Sequence, residues 1–158
     1  MTEQEIKMLA NEVVKNLGSS MTLDLALALT EKVKSKAREM GVNALVAVSN
    51  AAGNSLSVQC MDDSYIASYD VAFNKAYTVV ALKMPTTTLE ELAQPGGSLY
   101  GIQFTNGGKI VIFGGGVPLY DRGGKIIGGL GVSGGSEAED TALAEYGGQI
   151  FSSLISKG

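Results

Sequence analysis

Residues 128–140 read GGLGVSGGSEAED, and this stretch decides the fold. It follows an apolar run and opens a helix, so residues 129–134 formally match the dinucleotide fingerprint G-x-G-x-x-G. That fingerprint requires a second parallel strand after its helix and an acidic residue about 20 positions on. The helix beginning near Ser136 takes up the rest of the sequence, so we expect no nucleotide site. Of the 21 glycines, 15 lie between Gly96 and Gly135, where chance matches are common.

The segments around this stretch predict hairpins. VPLYDRGGKIIGGLGV, residues 117–132, is typical of two strands joined by a turn at 121–124. YGIQFTNGGKIVIFGGG, residues 100–116, predicts a second hairpin that turns at its Asn-Gly-Gly sequence. Residues 43–50 and 55–61 predict another. Short turns join antiparallel neighbours, so the expected sheet is antiparallel.

Helical patterns account for most of the remaining sequence. Apolar residues at helical spacing predict a first helix ending at Gly18, then a second over 22–40 that ends at Gly41. Residues 64–84 are compatible with a third helix, and Ser136-x-x-Glu139 is a capping box for the last. Helices on an antiparallel sheet indicate an α+β domain.

Composition excludes several classes of function. The net charge is −4 and basic residues are not clustered, so we expect no nucleic-acid partner. No apolar run approaches the ~18 residues of a membrane span, and no signal sequence opens the chain, so we expect a cytoplasmic protein. The single cysteine, Cys60, fits a reducing compartment. Without histidine, Ser-His-Asp and Cys-His catalysis and histidine-ligated metal sites are excluded.

Three quoted stretches together resemble the GlcG/HbpS family, also called DUF336 or the haem-degrading domain family. They are SLYGIQFTNGGKIVIFGGGVPLYDRGGKIIGGLGVSGGSEAED at 98–140, CMDDSYIASYDVAFNKAYTVVAL at 60–82 and ALVAVSNAAGN at 44–54. The chain is most similar to the version found as the C-terminal domain of PduO-type corrinoid adenosyltransferases. The resemblance covers roughly residues 22–155.

This resemblance implies a profilin-like fold with a five-stranded antiparallel sheet between helices. It implies homo-oligomers, tetramers or octamers, and binding of haem or a corrinoid. The sequence departs from the family pattern at Asn50, where an Asp is usual, and at Cys60, where an Arg is usual. Both changes remove charge. The absence of histidine excludes histidine ligation of haem in this chain.

Seven residues are candidates for ligand binding. Ser133, Gly134 and Gly135 precede the last helix, whose free N–H groups could hold a carboxylate such as a tetrapyrrole propionate. A tight turn and close packing of strand on helix also explain these residues. We explain Gly115 and Gly116 mainly by the conformational freedom that glycine gives the backbone. The same glycines could also let a ligand approach the backbone closely.

Lys75 and Thr78 lie one turn apart on a helix, where Lys75 could pair with an anion or simply be a surface lysine. Cys60 and Met61 could offer a soft axial ligand, although packing explains them too. We expect no catalytic residue and no protein-bound metal.

The N-terminal helix, residues 1–18, precedes the family-like domain at 19–158. Such a short amphipathic helix followed by Gly-Ser-Ser resembles the encapsulation peptides that bring cargo to bacterial microcompartments, where it would contact shell or cargo proteins in the lumen. It could equally pack on its own domain or build the oligomer. The sequence thus predicts a non-enzymatic tetrapyrrole-binding accessory protein, with a scaffolding homo-oligomer or a small enzyme as alternatives.

Overall fold

The computed structural model describes residues 1–17 and 20–156, with side chains given for residues 1–12 and 20–156. These residues form helices and strands in the order predicted, apart from one segment. The elements are α1 (Glu3–Leu17), α2 (Leu23–Met40), β1 (Leu45–Asn50), β2 (Ser55–Cys60), α3 (Ser68–Ala81), α4 (Thr86–Leu92), β3 (Gly116–Tyr120), β4 (Ile126–Ser133) and α5 (Glu137–Ser156). The predicted end of the first helix at Gly18 lies outside the described residues.

The sheet is antiparallel throughout, with strand order β2-β1-β4-β3. The α+β class and the antiparallel sheet are therefore confirmed. The sheet formed by the described residues has four strands, so the expected count of five is not confirmed. The apparent dinucleotide fingerprint lies mostly within β4, an interior strand paired on both sides, where no nucleotide loop exists.

Alternation along β1 assigns the two faces of the sheet. Val46 and Val48 join the main core with α2 and α5, whereas Leu45 and Ala47 pack against Ala72 and Ala76 of α3 on the other face. Residues of a strand point alternately to opposite faces, which explains why every hydrophobic residue of β1 is buried. The result is three layers, with the sheet between α2 and α5 on one side and α3 on the other.

Glycines in β4 let α3 lie unusually close to the sheet. A Cβ at Gly129 would overlap the Ala76 carbonyl oxygen, and one at Gly131 would overlap that of Ala72. The neighbouring Leu130 points to the opposite face and into the main core. The glycine-rich sequence of residues 128–131 therefore serves the packing of helix on sheet.

The predicted hairpin at the Asn-Gly-Gly sequence is wrong. The chain instead winds through two 3₁₀ turns, Ile102–Phe104 and Asn106–Gly108. The backbone that follows bonds to α3 rather than to a strand: Val111 N donates to Thr78 Oγ1 at 3.1 Å, and this hydroxyl also lies 3.3 Å from the carbonyl oxygen of Lys109. A side chain of α3 thus satisfies polar groups that a strand partner would otherwise bond.

Helix caps follow the sequence signals. Thr22 caps α2 by accepting from Leu25 N at 3.2 Å, and Gly41 ends it with a φ of 70°. Ser136 and Glu139 form the predicted capping box at the start of α5. None of the described helices is both long enough and apolar enough to cross a bilayer.

Candidate functional site

Lys75 is a fully buried lysine between α3 and β4, not a surface side chain. Its ammonium donates to the carbonyl oxygen of Val132 at 2.8 Å and to Asp140 Oδ2 at 3.4 Å. The Phe113 ring lies over it, with its centroid 4.9 Å from Nζ. An ammonium has three donors, so this chain already supplies a neighbour for each of them.

Asp140 is the residue that the sequence analysis missed. It lies in the first turn of α5, where a carboxylate is favourable for the helix dipole, and its Oδ1 also accepts from Gly135 N at 2.8 Å. Burial raises the pKa of Asp140, and burial lowers the pKa of Lys75 while each partner's charge opposes the change. No local pattern could link two positions 65 residues apart.

Gly115 and Gly116 border this buried pair. A Cβ at Gly115 would lie 2.6 Å from Lys75 Nζ, and its φ of 112° disfavours other residues. Gly116 N donates to Thr86 Oγ1 at 2.9 Å. The structure therefore brings Lys75, Gly115 and Gly116 together. The two glycines pack closely around the ion pair of Lys75 and Asp140.

Ser133, Gly134 and Gly135 lie where β4 turns into α5. The Ser133 hydroxyl donates to Ser68 Oγ at 3.1 Å. Gly135 N donates to Asp140, and Ser136 N donates to Glu139 Oε1 at 3.0 Å. The chain's own carboxylates thus accept from two of the N–H groups that we expected a ligand carboxylate to use.

Thr78 likewise makes internal bonds. Its hydroxyl lies 2.7 Å from the carbonyl oxygen of Asn74 in the preceding turn of α3 and, as described, bonds to the segment around Val111. Thr78 therefore supports that segment, away from Ser133 and the start of α5. Six of the seven candidates occupy two neighbouring regions on either side of Asp140, and Thr78 lies apart from both.

A pair of carboxyl groups, Glu90 and Glu137, was not predicted from the sequence either. The Glu137 side chain of α5 raises the pKa of Glu90 in α4, because the two carboxyl groups hydrogen-bond, and burial adds to the effect. Among the described residues, no His, Cys, Asp and Glu side chains form a cluster that could hold a metal ion.

A more accessible cavity of about 360 Å³ lies at the edge of the sheet, where β2 ends. Two cations of α2, Lys34 and Arg38, lie one turn apart along one side of it. Cys60 and Met61 line the same cavity, and the Met61 side chain also packs against the main core. Lys34 is held in place by Gln59 Oε1 at 2.7 Å and by Glu31 Oε1 at 2.5 Å. Cys60 and Met61 were candidates from the sequence, and the spacing of Lys34 and Arg38 at i and i+4 is the signal that could have added the two cations.

A neighbouring cavity of about 540 Å³ shares Asn43 with the first. Gly134, Gly135 and Ser136 form one wall, and the phenol of Tyr65 lies at the same cavity. Its charged side chains, Asp63 and Glu139, are both acidic. A carboxylate ligand is therefore better matched by the first cavity than by this one.

Asn50 and Cys60, the two departures from the family pattern, have different roles. Asn50 Oδ1 accepts from Ala52 N at 3.0 Å and from Asn54 N at 3.1 Å, so it shapes the turn between β1 and β2. Cys60 is exposed. Only Cys60 is available to an external ligand.

Known proteins of the same fold share this architecture. The family model described as "Haem degrading protein HbpS-like" matches residues 21–149. An uncharacterised 15.0 kDa protein of the dhaT–dhaS intergenic region of Citrobacter freundii is 43% identical over 136 residues, covering 86% of this chain and 95% of that protein.

Two relatives are known with an activity or a ligand. The corrinoid adenosyltransferase PduO of Salmonella typhimurium is 39% identical over 117 residues, 74% of this chain but 34% of its own length. The chain thus spans about a third of that relative. A solved PduOC–haem complex is 34% identical with a TM-score of 0.79, covering 83% of this chain and 94% of that one.

Proposed function

The chain belongs to the HbpS-like family, and from this premise we propose that it is a haem-binding protein whose site is the cavity formed by α2 and the end of β2. The observation that carries the proposal is the exposed Cys60 thiol in a cavity with two cations, Lys34 and Arg38. The complex of the PduOC relative with haem supports the choice of ligand.

The residues of this cavity fit haem by charge and by donor chemistry. A haem carries two propionate carboxylates, which Lys34 and Arg38 would hold. Cys60 would supply its sulfur to the iron, a known ligand type for haem. Met61 carries the neighbouring sulfur, although its side chain also packs against the main core. Asp62 also lies at the cavity and opposes the carboxylates. The lining thus carries two cations and one anion, and Glu31 beside it pairs with Lys34. Bound haem would supply the redox chemistry of its iron, and the chain would supply binding and orientation.

The seven residues proposed from sequence belong to the framework beside this site. Gly134 and Gly135 line the neighbouring cavity and remain candidates for contacts with the macrocycle edge, whereas Ser133 is buried beside them and bonds to Ser68. Lys75, Gly115 and Gly116 would act by fixing the start of α5, and Thr78 by fixing the segment before β3. None is proposed as a catalytic residue.

A corrinoid is the second candidate ligand, because cobalt also accepts soft donors and a PduO relative acts on corrinoids. Titration of the purified full chain with hemin and, separately, with cobalamin distinguishes the two by absorption spectra. We expect a shift of the hemin spectrum that saturates at one ligand per site. If neither ligand changes its spectrum at micromolar protein, the proposal is wrong.

Arg38→Gln and Cys60→Ser test the site itself. Lys32→Gln is the matched control, because Lys32 is an exposed cation of the same helix that does not line the cavity. Arg38→Gln should weaken hemin binding and Cys60→Ser should change the spectrum, whereas Lys32→Gln should do neither. Equal behaviour of all three variants would place haem elsewhere.

Residues 1–18 are proposed as a segment separate from the binding domain at 19–158. In this proposal the protein is a homo-oligomer, a tetramer or octamer, whose first helix contacts shell or cargo proteins of a bacterial microcompartment. The exposed apolar side chains of α1 support a docking role. Deleting residues 1–18 and measuring retention with purified shells tests it; unchanged retention would exclude targeting. A scaffolding oligomer without ligand is the alternative if hemin does not bind.

A further inference from the structure

The proposed haem cavity suits the polar parts of a haem better than its ring. Four of the six residues that line it have polar or charged side chains: Lys34, Arg38, Asn43 and Asp62. Of the other two, Met61 is partly taken up by the main core. A porphyrin is a flat aromatic ring, and sites for such ligands are lined mainly by apolar and aromatic side chains. The ring therefore needs a further surface.

Tyr65 offers an aromatic side chain beside this cavity. It lines the neighbouring cavity, which shares Asn43 with the first, and it is 71% exposed. Among the described residues that line these two cavities, Tyr65 is the aromatic one. Most of its ring is in contact with water, and covering such a ring with another apolar surface is favourable.

The backbone sets the position of Tyr65 relative to Cys60. Met61 N donates to the carbonyl oxygen of Ala44 at 3.0 Å, so hydrogen bonding between the two chain segments continues past the end of β2. The chain then turns at Asp63, whose φ of 61° is a left-handed value that aspartate tolerates. Tyr65 follows this turn, five positions along the chain from the proposed iron ligand.

The cavity beside Tyr65 suits a flat ligand. Gly134 and Gly135 line it as well, and they have no side chains to project into it. Glycine lets a ligand approach the backbone closely. A bare stretch of backbone and an exposed aromatic ring at one cavity admit a planar molecule more readily than a bulky one.

Charge determines which edge of a haem would lie there. Asp63 and Glu139 line the cavity of Tyr65, whereas Lys34 and Arg38 line the first cavity. Propionates are repelled by the two carboxylates and attracted by the two cations. The edge of the macrocycle opposite the propionates is uncharged, so it is the edge that fits beside Tyr65.

We infer that Tyr65 is a binding residue of the haem site, and that its ring stacks on the macrocycle. The propionates then lie at Lys34 and Arg38, and the phenol oxygen of Tyr65 does not bind the iron. The inference rests on the proposed function and adds to it the side chain that covers the ring. Stacked aromatic rings stabilise a contact beyond the area that they bury.

Substitutions in the full chain separate the ring of Tyr65 from its hydroxyl. Tyr120→Ala is the matched control, because Tyr120 is an exposed tyrosine of β3, at the opposite edge of the sheet from β2. Tyr65→Ala should weaken hemin binding roughly threefold to tenfold, whereas Tyr65→Phe and Tyr120→Ala should bind as the unmodified protein does. Unchanged affinity in Tyr65→Ala would overturn the inference. So would a loss in Tyr65→Phe as large as that in Tyr65→Ala, because the hydroxyl would then be the group that binds.

Protoporphyrin IX, which has the same ring and propionates but no iron, gives an independent readout. Tyr65→Ala should weaken its binding as it weakens that of hemin, whereas Cys60→Ser should not. If Tyr65→Ala affects hemin but not protoporphyrin IX, the ring is not what Tyr65 contacts and the inference is wrong.

The two proposals fail in different ways. If hemin binds with a spectrum that depends on Cys60 but Tyr65→Ala has no effect, the stacking inference fails while the haem site stands. If hemin does not bind the unmodified protein, both fail.

Discussion

The buried centre around Lys75 and the edge cavity around Cys60 both contain charged side chains. They differ in whether those polar groups remain accessible to a ligand. At the centre, Lys75 and Asp140 bond to each other and to backbone groups. At the edge, Cys60 is exposed and Arg38 lines an open cavity. Buried polar groups with internal partners hold a fold together, whereas accessible ones can bind a ligand.

Removing Lys75 should give the largest effect on stability. Lys75→Met leaves the Asp140 carboxylate buried without its cation, which costs about 3–5 kcal/mol in comparable pairs. Urea unfolding should show this loss, and Lys75→Met/Asp140→Asn should recover part of it. A stable Lys75→Met protein that no longer binds hemin would reverse the comparison, making the centre a ligand site.

A methyl group on β4 should have the next largest effect. Gly131→Ala places a Cβ against the carbonyl oxygen of Ala72 and forces α3 away from the sheet, which costs about 1–3 kcal/mol. Gly123→Ala, in the open turn between β3 and β4, is the matched control and should change stability little. Equal unfolding midpoints for the two variants would contradict the close packing of helix on sheet.

Removing one cation from the edge should affect binding rather than folding. Arg38→Gln should weaken hemin binding by about 1 kcal/mol, or roughly fivefold, as expected for a partly solvated ion pair. Its urea midpoint should match that of the unmodified protein. A fall in stability without a change in hemin affinity would show that Arg38 supports the fold and does not bind hemin.

A smaller effect should appear in the pH dependence of stability. Burial lowers the pKa of Lys75 in the folded protein, so at alkaline pH the unfolded chain binds more protons at this position. The free energy of unfolding should therefore gain a contribution that rises with pH between the folded pKa and the ordinary lysine value. The difference between the unmodified protein and Lys75→Met isolates that rise, and a difference independent of pH would rule it out.

The sequence predicted most of the fold because its signals were local. Gly41 and the Ser136–Glu139 capping box set helix ends through bonds within a few residues, and both predictions are confirmed. The Asn-Gly-Gly hairpin failed because the partner of that segment is Thr78, far away in sequence. Local turn chemistry could not reveal a bond to a distant helix.

The candidate site was less predictable for the same reason. Lys75 was identified, but its burial depends on Asp140 and Val132, which only the folded chain brings near. The glycines before α5 suggested an anion site, and the structure shows that Asp140 and Glu139 already accept from N–H groups there. The ligand carboxylate proposed for this turn stays a prediction, because the carboxylates that accept there belong to the chain itself.

The most direct test of the contrast between centre and edge is a parallel hemin titration of Cys60→Ser/Arg38→Gln and Lys75→Met, with urea unfolding of both. We predict that the edge variant keeps its stability and loses hemin affinity, while the centre variant loses stability and binds hemin as before once its folded fraction is counted. The opposite pattern, with weakened binding in folded Lys75→Met and normal binding in the edge variant, would contradict the account.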